Sequence, residues 1–272
     1  MSQGSADERE KLEDVGANVS TVLLNVRIPK TGSESVSEML SAAFLPEHRF
    51  YLPNTLDFDG RVSRYQRRRF IRRQRWNLRR AYKTASMDVA IGLVAAKARP
   101  GALIYGGHID FRAVAARIPH LKMITMLRDP ALRSLSEYNY ARQTYLVRNP
   151  LRRLTAPTLP KICGTRSFDG YLDFLIENAD VYANFAAQYV GWDGAPALSS
   201  FFETNVFHAG VLENNREFAE RLSQKLGRRL SFPSVNRTER RSEEKITALQ
   251  RSRIEKLSPR DFELYEWVRS NP

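Results

Sequence analysis

The sequence predicts a single α/β domain built on a mostly parallel, doubly wound sheet flanked by helices. Apolar, β-branched segments alternate with stretches of helical periodicity, the pattern of parallel strands joined by helices. The chain has 272 residues, a length that suits one substantial domain. We assign this domain to residues 19–272 and expect the polar, acidic residues 1–18 to form a flexible N-terminal lead-in.

The first half of the chain contains three predicted strands, each followed by a helix. An apolar, β-branched run covers residues 21–28, is closed by Pro29, and leads into a helix. Between the first two strands, residues 61–83 are dense in arginine, with apolar residues interspersed as on a helix with a basic exposed face. The other strands cover residues 102–109 and 121–127, and the three helices cover residues 35–44, 111–118 and 130–142.

The second half is predicted to be mainly helical. Its one predicted strand covers residues 206–212, and Gly227 is placed to cap the helix that follows over residues 216–226. Residues 149–166 contain three prolines and are predicted to form a loop. The remaining helices are expected over residues 168–177, 181–189, 243–256 and 259–270.

The charge balance indicates a protein that binds anions. The sequence holds 43 Lys and Arg against 30 Asp and Glu, a formal net charge of +13. Such a surplus attracts nucleic acid, acidic polysaccharide, a membrane surface or a phosphate-rich small molecule alike. Cys163 is the only cysteine, so no intrachain disulfide can form, and no run of about 18 apolar residues predicts a membrane span. We therefore expect a cytoplasmic protein.

The turn after the first predicted strand has the composition of an anion-binding loop. Its residues are Pro29, Lys30, Thr31, Gly32, Ser33, Glu34 and Ser35. Outward-pointing backbone N–H groups and the positive end of the following helix together form a cradle for phosphate or sulfate. The lysine precedes the glycine, so this is not the GxxxxGK[ST] loop of nucleotide kinases. Taken alone, the segment is also consistent with an ordinary capped strand–helix turn.

A second candidate anion site follows the third predicted strand. Arg128 stands at the carboxyl end of that strand, and Ser136 lies about two turns into the next helix, on a face that can approach Arg128. Open α/β sheets bind ligands at this end of their strands. An arginine and a serine hydroxyl together can clamp a terminal phosphate. The alternative is that Arg128 pairs with a carboxylate and Ser136 faces solvent.

Together and in this order, the two segments resemble the donor-binding motifs of sulfotransferases that use 3′-phosphoadenosine 5′-phosphosulfate (PAPS). Lys30-Thr31-Gly32 is similar to their 5′-phosphosulfate loop, and the run from Arg128 to Ser136 is similar to their 3′-phosphate site. The form of residues 25–31 most resembles the heparan sulfate and uronyl 2-O-sulfotransferases. The resemblance extends from residue 21 to the C-terminus, with a poorly matched middle. It implies a P-loop-like sulfotransferase fold and PAPS as co-substrate.

Three further segments are similar to the same family. Residues 106–108 resemble the Gly-His element that carries the catalytic histidine, which implies that His108 is the general base. Residues 211–213 resemble a late family segment. Asn236-Arg237-Thr238, followed by basic residues, resembles the loop that covers the nucleotide, which implies donor contacts for Arg237 and Thr238.

One residue departs from the family pattern. Glu34 stands where the family usually has threonine, and a carboxylate aimed at the donor would repel it by about 1 kcal/mol or more. The backbone N–H of Glu34 can still contribute to the cradle if its side chain turns toward the helix dipole or a neighbouring arginine. Asp110 and Glu34 compete with His108 as the base, but imidazole is better suited to accept a proton near neutral pH. No Cys/His cluster has zinc spacing, so we expect no metal site.

The predicted activity is transfer of a sulfuryl group from PAPS to a hydroxyl of a carbohydrate acceptor, with an acidic polysaccharide among the candidates. Lys30 would stabilise charge on the leaving nucleotide while His108 removes the hydroxyl proton. The arginines of residues 61–83 could bind an acidic glycan or form a merely solvated helix face. The alternatives are a nucleotide kinase and a non-catalytic nucleic-acid or polyanion binder. We expect no specific nucleic-acid binding, because no RNP or helix-turn-helix signature occurs.

Overall fold

Five parallel strands form one sheet in the part of the chain that the structure describes. The structure, a computed structural model, describes residues 19–52, 87–233 and 245–272. The strands are β1 (Leu23–Val26), β2 (Arg49–Leu52), β3 (Leu103–Gly106), β4 (Lys122–Leu127) and β5 (Val206–Val211). Their order across the sheet is β2-β3-β1-β4-β5, and every neighbouring pair is parallel. The α/β fold class predicted from the sequence is confirmed.

Helices follow the strands and continue through the second half of the chain. We number them through the described residues. They are α1 (Ser33–Ala43), α2 (Met87–Ala95), α3 (Phe111–Ala115), α4 (Pro130–Leu146), α5 (Pro150–Leu154), α6 (Thr158–Thr165), α7 (Phe168–Glu177), α8 (Ala179–Tyr182), α9 (Phe185–Val190), α10 (Leu198–Asn205), α11 (Asn215–Leu226), α12 (Ala248–Leu257) and α13 (Pro259–Ser270). Short 3₁₀ turns occupy Pro46–His48 and Leu212–Asn214.

Both faces of the sheet are buried, as a doubly wound fold requires. Successive side chains of a strand point to opposite faces, and here Leu23 and Leu24 enter two different core clusters. Leu24 packs in a cluster with residues of α2, α3, α9 and α13, whereas Leu23 packs in a cluster with residues of α1 and α11. Continuous apolar strands such as β1 are the expected result of helices on both sides.

A third hydrophobic cluster holds α4 against α6, α7 and α12. Tyr138 of α4 lies 5.4 Å from Phe168 and 5.6 Å from Tyr171, measured between ring centroids. The Tyr138 hydroxyl also donates to the carbonyl of Arg166 at 2.9 Å. The helix that follows Arg128 is therefore fixed by packing along its buried side.

Two sequence expectations about boundaries were wrong. The strand predicted to reach residue 109 ends at Gly106, so His108 lies in the loop beyond β3 rather than at the end of the strand. The proline-rich residues 149–166, predicted as a loop, contain α5 and α6. Pro150 occupies the first turn of α5, where a missing N–H costs nothing, and the Asn149 side chain caps the helix by accepting from the Arg152 N–H at 2.9 Å.

Other boundaries also differ from the sequence analysis. The helix expected over residues 181–189 is interrupted at Asn184, whose φ of 51° is left-handed. β2, α2 and α10 were not predicted, whereas Gly227 ends α11 in a left-handed conformation, as expected. The lead-in 1–18, the arginine-rich residues 61–83 and the pair 237–238 lie outside the described residues. Within the described ranges, no helix is both long and apolar enough to cross a membrane.

Candidate functional site

The candidate site lies at the carboxyl ends of the central strands. β1 is flanked by β3 on one side and β4 on the other, so the chain changes winding direction beside β1. Open α/β sheets form their ligand crevice at such a switch point. The loops that follow β1, β3 and β4 carry Lys30, His108 and Arg128 respectively, which brings the three predicted groups to one edge of the sheet.

The β1–α1 loop, residues 27–32, turns sharply through left-handed backbone. Lys30 has φ 69° and Gly32 has φ 75°, an arrangement that turns backbone N–H groups toward one side. Glycine is favoured at position 32 because its φ of 75° is left-handed and because an added Cβ would lie 2.6 Å from Cδ1 of Leu212, which would have to shift. The Thr31 hydroxyl donates to the Ile28 carbonyl at 2.9 Å and thereby braces the loop. Ser33 and Ser35, predicted to contact the donor, are buried in the first turn of α1.

The conflict posed by Glu34 is resolved by an arginine that the sequence analysis did not single out. The Arg27 guanidinium donates both to the Glu34 carboxylate and to the Gly106 carbonyl. The Arg27 side chain is only 16% exposed, whereas that of Glu34 is 51% exposed and points away from the core. Glu34 therefore faces a neighbouring arginine, which was one of the two orientations expected from the sequence.

A hydrogen bond joins the two predicted anion sites. Nη1 of Arg128 donates to the carbonyl of Lys30 at 3.2 Å. Burial is the main influence that lowers the pKa of Arg128, and the nearby carboxylate of Glu213 opposes it. Ser136 is half-buried in α4, two turns beyond Arg128. The loops after β1 and β4 thus form one continuous, positively charged rim.

Lys30 is an ammonium group in a partly desolvated position. Its Nζ lies 4.0 Å from the ring centroid of Tyr140, a cation–π contact. Burial lowers the pKa of Lys30, Glu137 raises it, and Arg128 lowers it further. A lysine whose charge is poorly hydrated gains more from an arriving anion than a fully solvated lysine would.

His108 is held in one tautomer by the β1–α1 loop. Its Nδ1 lies 2.6 Å from the carbonyl oxygen of Arg27. A carbonyl can only accept, so Nδ1 carries the proton and Nε2 carries the basic lone pair. Burial lowers the pKa of His108 below its usual 6.5, which favours the neutral imidazole at pH 7. These are the properties of a general base.

The competing carboxylate, Asp110, has a structural task. It caps α3, its side chain accepting from the backbone N–H of Arg112 at 2.9 Å. Gly106, which precedes His108 by two residues, is constrained by the packing of the backbone. Its φ is 145°, and an added Cβ would lie 2.0 Å from the carbonyl oxygen of Leu52 in β2. The end of β2 therefore requires this glycine.

A buried charge network behind the site was missed by sequence reasoning. Arg133 donates to Glu137 at 3.1 Å, and the Tyr171 hydroxyl donates to the same carboxylate oxygen at 3.2 Å. On its other side Arg133 is near Asp261 of α13, which accepts from the N–H groups of Ala186 and Ala187 at 3.1 and 2.9 Å. The spacing of four residues between Arg133 and Glu137 was the available signal.

The network reaches the histidine through α9. Asp261 holds the first turn of that helix, and Tyr189 in its second turn packs edge-on to His108 with ring centroids 6.2 Å apart. The Tyr189 hydroxyl is buried and has no hydrogen-bond partner within the described part of the chain. α4, α9 and α13 thus jointly support the floor beneath Lys30 and His108.

The chain is similar in sequence to a known protein family. The family model described as "Sulfotransferase domain" matches residues 22–250. A comparison with curated proteins finds no match. Among solved structures, the chain resembles the crystal structure of retinol dehydratase in complex with androsterone and inactive cofactor PAP, with 13% sequence identity and a TM-score of 0.36. That alignment covers 89% of this chain and 63% of the other, so this chain spans less than two thirds of that protein.

The sequence analysis inferred two relationships, one to sulfotransferases in general and a nearer one to a group within them. The family match establishes the first of these. It covers both predicted anion motifs and His108 with one family model. The nearer kinship with heparan sulfate and uronyl 2-O-sulfotransferases stays a prediction. The chain belongs to the sulfotransferase family.

Proposed function

We propose that the protein transfers a sulfuryl group from PAPS to a hydroxyl of a carbohydrate. The observation that carries the proposal is the bond from Arg128 to the Lys30 carbonyl, because it makes the loops after β1 and β4 a single anion-binding rim. PAPS bears anionic groups at both its 5′ and 3′ ends, so it needs two linked positive sites. An ATP-like nucleotide lacks the 3′-phosphate and would leave one of them unused.

The residues of the rim fit the donor chemically. Lys30 and the N–H groups of the β1–α1 loop would hold the phosphosulfate, with Thr31, Gly32 and the start of α1 completing the cradle. Arg128 and Ser136 would hold the 3′-phosphate. The pairing of Glu34 with Arg27 offsets part of the repulsion that this carboxylate exerts on the donor. We also propose Arg237 and Thr238, which lie outside the described residues, as contacts to the nucleotide.

The reaction is an in-line displacement at sulfur. The acceptor oxygen forms a new bond to sulfur while the bond from sulfur to the bridging phosphate oxygen breaks. The electron pair of the broken bond remains on 3′,5′-ADP, where the Lys30 ammonium stabilises the charge. His108 takes the acceptor proton on Nε2, the nitrogen that its bond to the Arg27 carbonyl leaves basic.

The acceptor is proposed to be a carbohydrate, with an acidic one favoured. Support comes from the formal charge of +13, from the arginines in residues 61–83, and from the resemblance to enzymes that act on uronic acids. Guanidinium groups match carboxylates and sulfates bidentately. The arginine stretch lies outside the described residues, so the support is chemical.

Transfer of labelled sulfate from PAPS to a panel of acceptors tests the proposal. The panel contains neutral and acidic polysaccharides, glycolipids and small alcohols. We expect label on a carbohydrate, faster transfer to acidic members, and a rate that falls with salt. Transfer only to small neutral alcohols would reject the carbohydrate acceptor. Absence of any transfer, with no thermal stabilisation by 3′,5′-ADP, would reject PAPS as the donor.

A further inference from the structure

The turn between α4 and α5 concentrates exposed apolar side chains. We define the α4–α5 corner as Leu146, Val147, Leu151 and Leu154, the last three of which are 76–78% exposed. Tyr140, one to two turns earlier on α4, is 60% exposed. Five of the ten large hydrophobic residues exposed in the described ranges thus fall within 15 consecutive positions. Scattered exposed leucines are ordinary, but a cluster of this kind marks a contact surface.

The corner is a built feature rather than a fraying helix end. Nε of Arg153 donates to the carbonyl of Arg148 at 2.9 Å, and its Nη2 donates to the carbonyl of Leu146 at 2.6 Å. Arg153 therefore satisfies carbonyls at the end of α4 and ties α5 to it. The side chain of Asn149 caps α5 from the connecting turn. The leucines are therefore held at the surface by a backbone whose conformation these hydrogen bonds fix.

The segment of chain that contains the corner carries basic residues and no acidic ones. Between Glu137 and Asp169 the sequence contains no acidic residue. The basic residues of that segment are Arg142, Arg148, Arg152, Arg153, Lys161 and Arg166. Two copies of such a face would repel each other, which disfavours self-association through it. An anionic partner with an apolar interior is complementary in both charge and polarity.

We propose that the α4–α5 corner docks on the surface of an anionic lipid bilayer. Leucine and valine side chains would enter the boundary between headgroups and acyl chains, while Arg142 and Arg152 contact the headgroups. A nucleic acid or a soluble polyanion would use the arginines but would have no use for four protruding aliphatic side chains. The inference goes beyond the proposed function and does not depend on the nature of the acceptor.

The position of the corner would turn the site toward the bilayer. Tyr140 contacts Lys30, and Val147 lies on the same face of α4, about 10 Å further along the helix. A docked membrane would therefore lie close beside the entrance to the site. Hydroxyl acceptors held at that surface would be concentrated near Lys30.

Cosedimentation with vesicles tests the proposal. The full chain is mixed, at about 0.15 M salt, with phosphatidylcholine vesicles that contain or lack phosphatidylglycerol. We expect binding to the anionic vesicles. Leu151→Ser with Leu154→Ser should lower the partition coefficient about tenfold or more. Arg142→Gln and Arg152→Gln should each lower it about fivefold. The matched control, Val181→Ser with Leu249→Ser, removes exposed apolar side chains elsewhere and should bind as the wild type does.

The variant with both leucines replaced is the decisive test, because a chain with a formal net charge of +13 is attracted to any anionic surface. Thermal unfolding and stabilisation by 3′,5′-ADP are measured on every variant and should be unchanged, since these side chains lie on the surface. Equal binding of the leucine variant and the wild type would overturn the proposal and leave simple polyanion attraction. Failure of the wild type to bind anionic vesicles would also overturn it. Neither result bears on sulfate transfer to the soluble members of the acceptor panel, which is assayed without vesicles.

Discussion

Replacement of Glu34 tests whether its negative charge in the β1–α1 loop opposes the donor. In Glu34→Gln the amide can still accept from Arg27, and Arg27 keeps its bond to the Gly106 carbonyl. The site gains one unit of positive charge. Because Glu34 is half exposed, we take the dielectric constant of water, about 80, and a separation of about 8 Å, which gives about 0.5 kcal/mol per donor charge. The two charges of a 5′-phosphate then correspond to about 1 kcal/mol, or about fivefold tighter binding.

Calorimetric titration with 3′,5′-ADP measures this effect. The gain should be largest at about 50 mM salt and smaller at about 300 mM, where the screening length is shorter than the separation. Glu38→Gln is the matched control, because Glu38 is exposed one turn further along α1. It should bind 3′,5′-ADP almost as the wild type does. Weaker binding by Glu34→Gln would refute the reasoning and would mean that Glu34 serves chiefly to orient Arg27.

The remaining predictions concern the base, the second anion site and one glycine. His108→Ala should lower kcat by about 10²–10⁴ without changing the Kd of 3′,5′-ADP. Because burial lowers the pKa of His108, the wild-type kcat should be constant from about pH 6.5 upward until Lys30 loses its proton, and should fall below about pH 6.5, where the imidazole becomes protonated. A loss of kcat on acidification that already begins above about pH 7 would contradict this. Arg128→Ala should raise the Kd of 3′,5′-ADP, measured by calorimetry, about 10–100-fold. Arg216→Ala, at a side chain that is 90% exposed, should leave this Kd unchanged. Equal effects of the two substitutions would remove Arg128 from the donor site. Gly106→Ala should lower the free energy of unfolding, measured in urea, by about 3 kcal/mol or more. Gly92→Ala, with nothing within 4 Å of the added Cβ, should be neutral or stabilising by up to about 1 kcal/mol. Similar results for the two variants would contradict the argument that the backbone crowds Gly106.

The sequence was informative where chemistry and local pattern coincide. Strong local signatures mark the apolar run of β1, the glycine in the loop after it and the arginine at the end of β4. β1 forms where the pattern predicted it, and the glycine and the arginine lie at the carboxyl ends of their strands, as predicted. Gly227 was likewise predicted as the cap of α11, because a left-handed helix end strongly prefers glycine.

Other features depend on partners distant in sequence. The first two of the four residues of β2 are only partly buried, so its sequence carries little periodic signal. The role of Arg27 depends on Glu34 and on the carbonyl of Gly106, 79 positions away. No local pattern reports such a contact. The extent of α5 was missed because proline was interpreted as a breaker, although at the start of a helix it is favourable.

Asp261 identifies a part of the protein that should be left unchanged if the enzyme is adapted to a new acceptor. This one carboxylate lies near buried Arg133 and also holds the first turn of α9, whose Tyr189 packs against His108. A neutral residue there would remove one of the two carboxylates that compensate the buried guanidinium, the other being Glu137, and would loosen the helix behind the base. Directed evolution of acceptor preference should therefore spare α13, although this helix contains none of the motifs that resemble the family. It should instead diversify the exposed side chains around Tyr140.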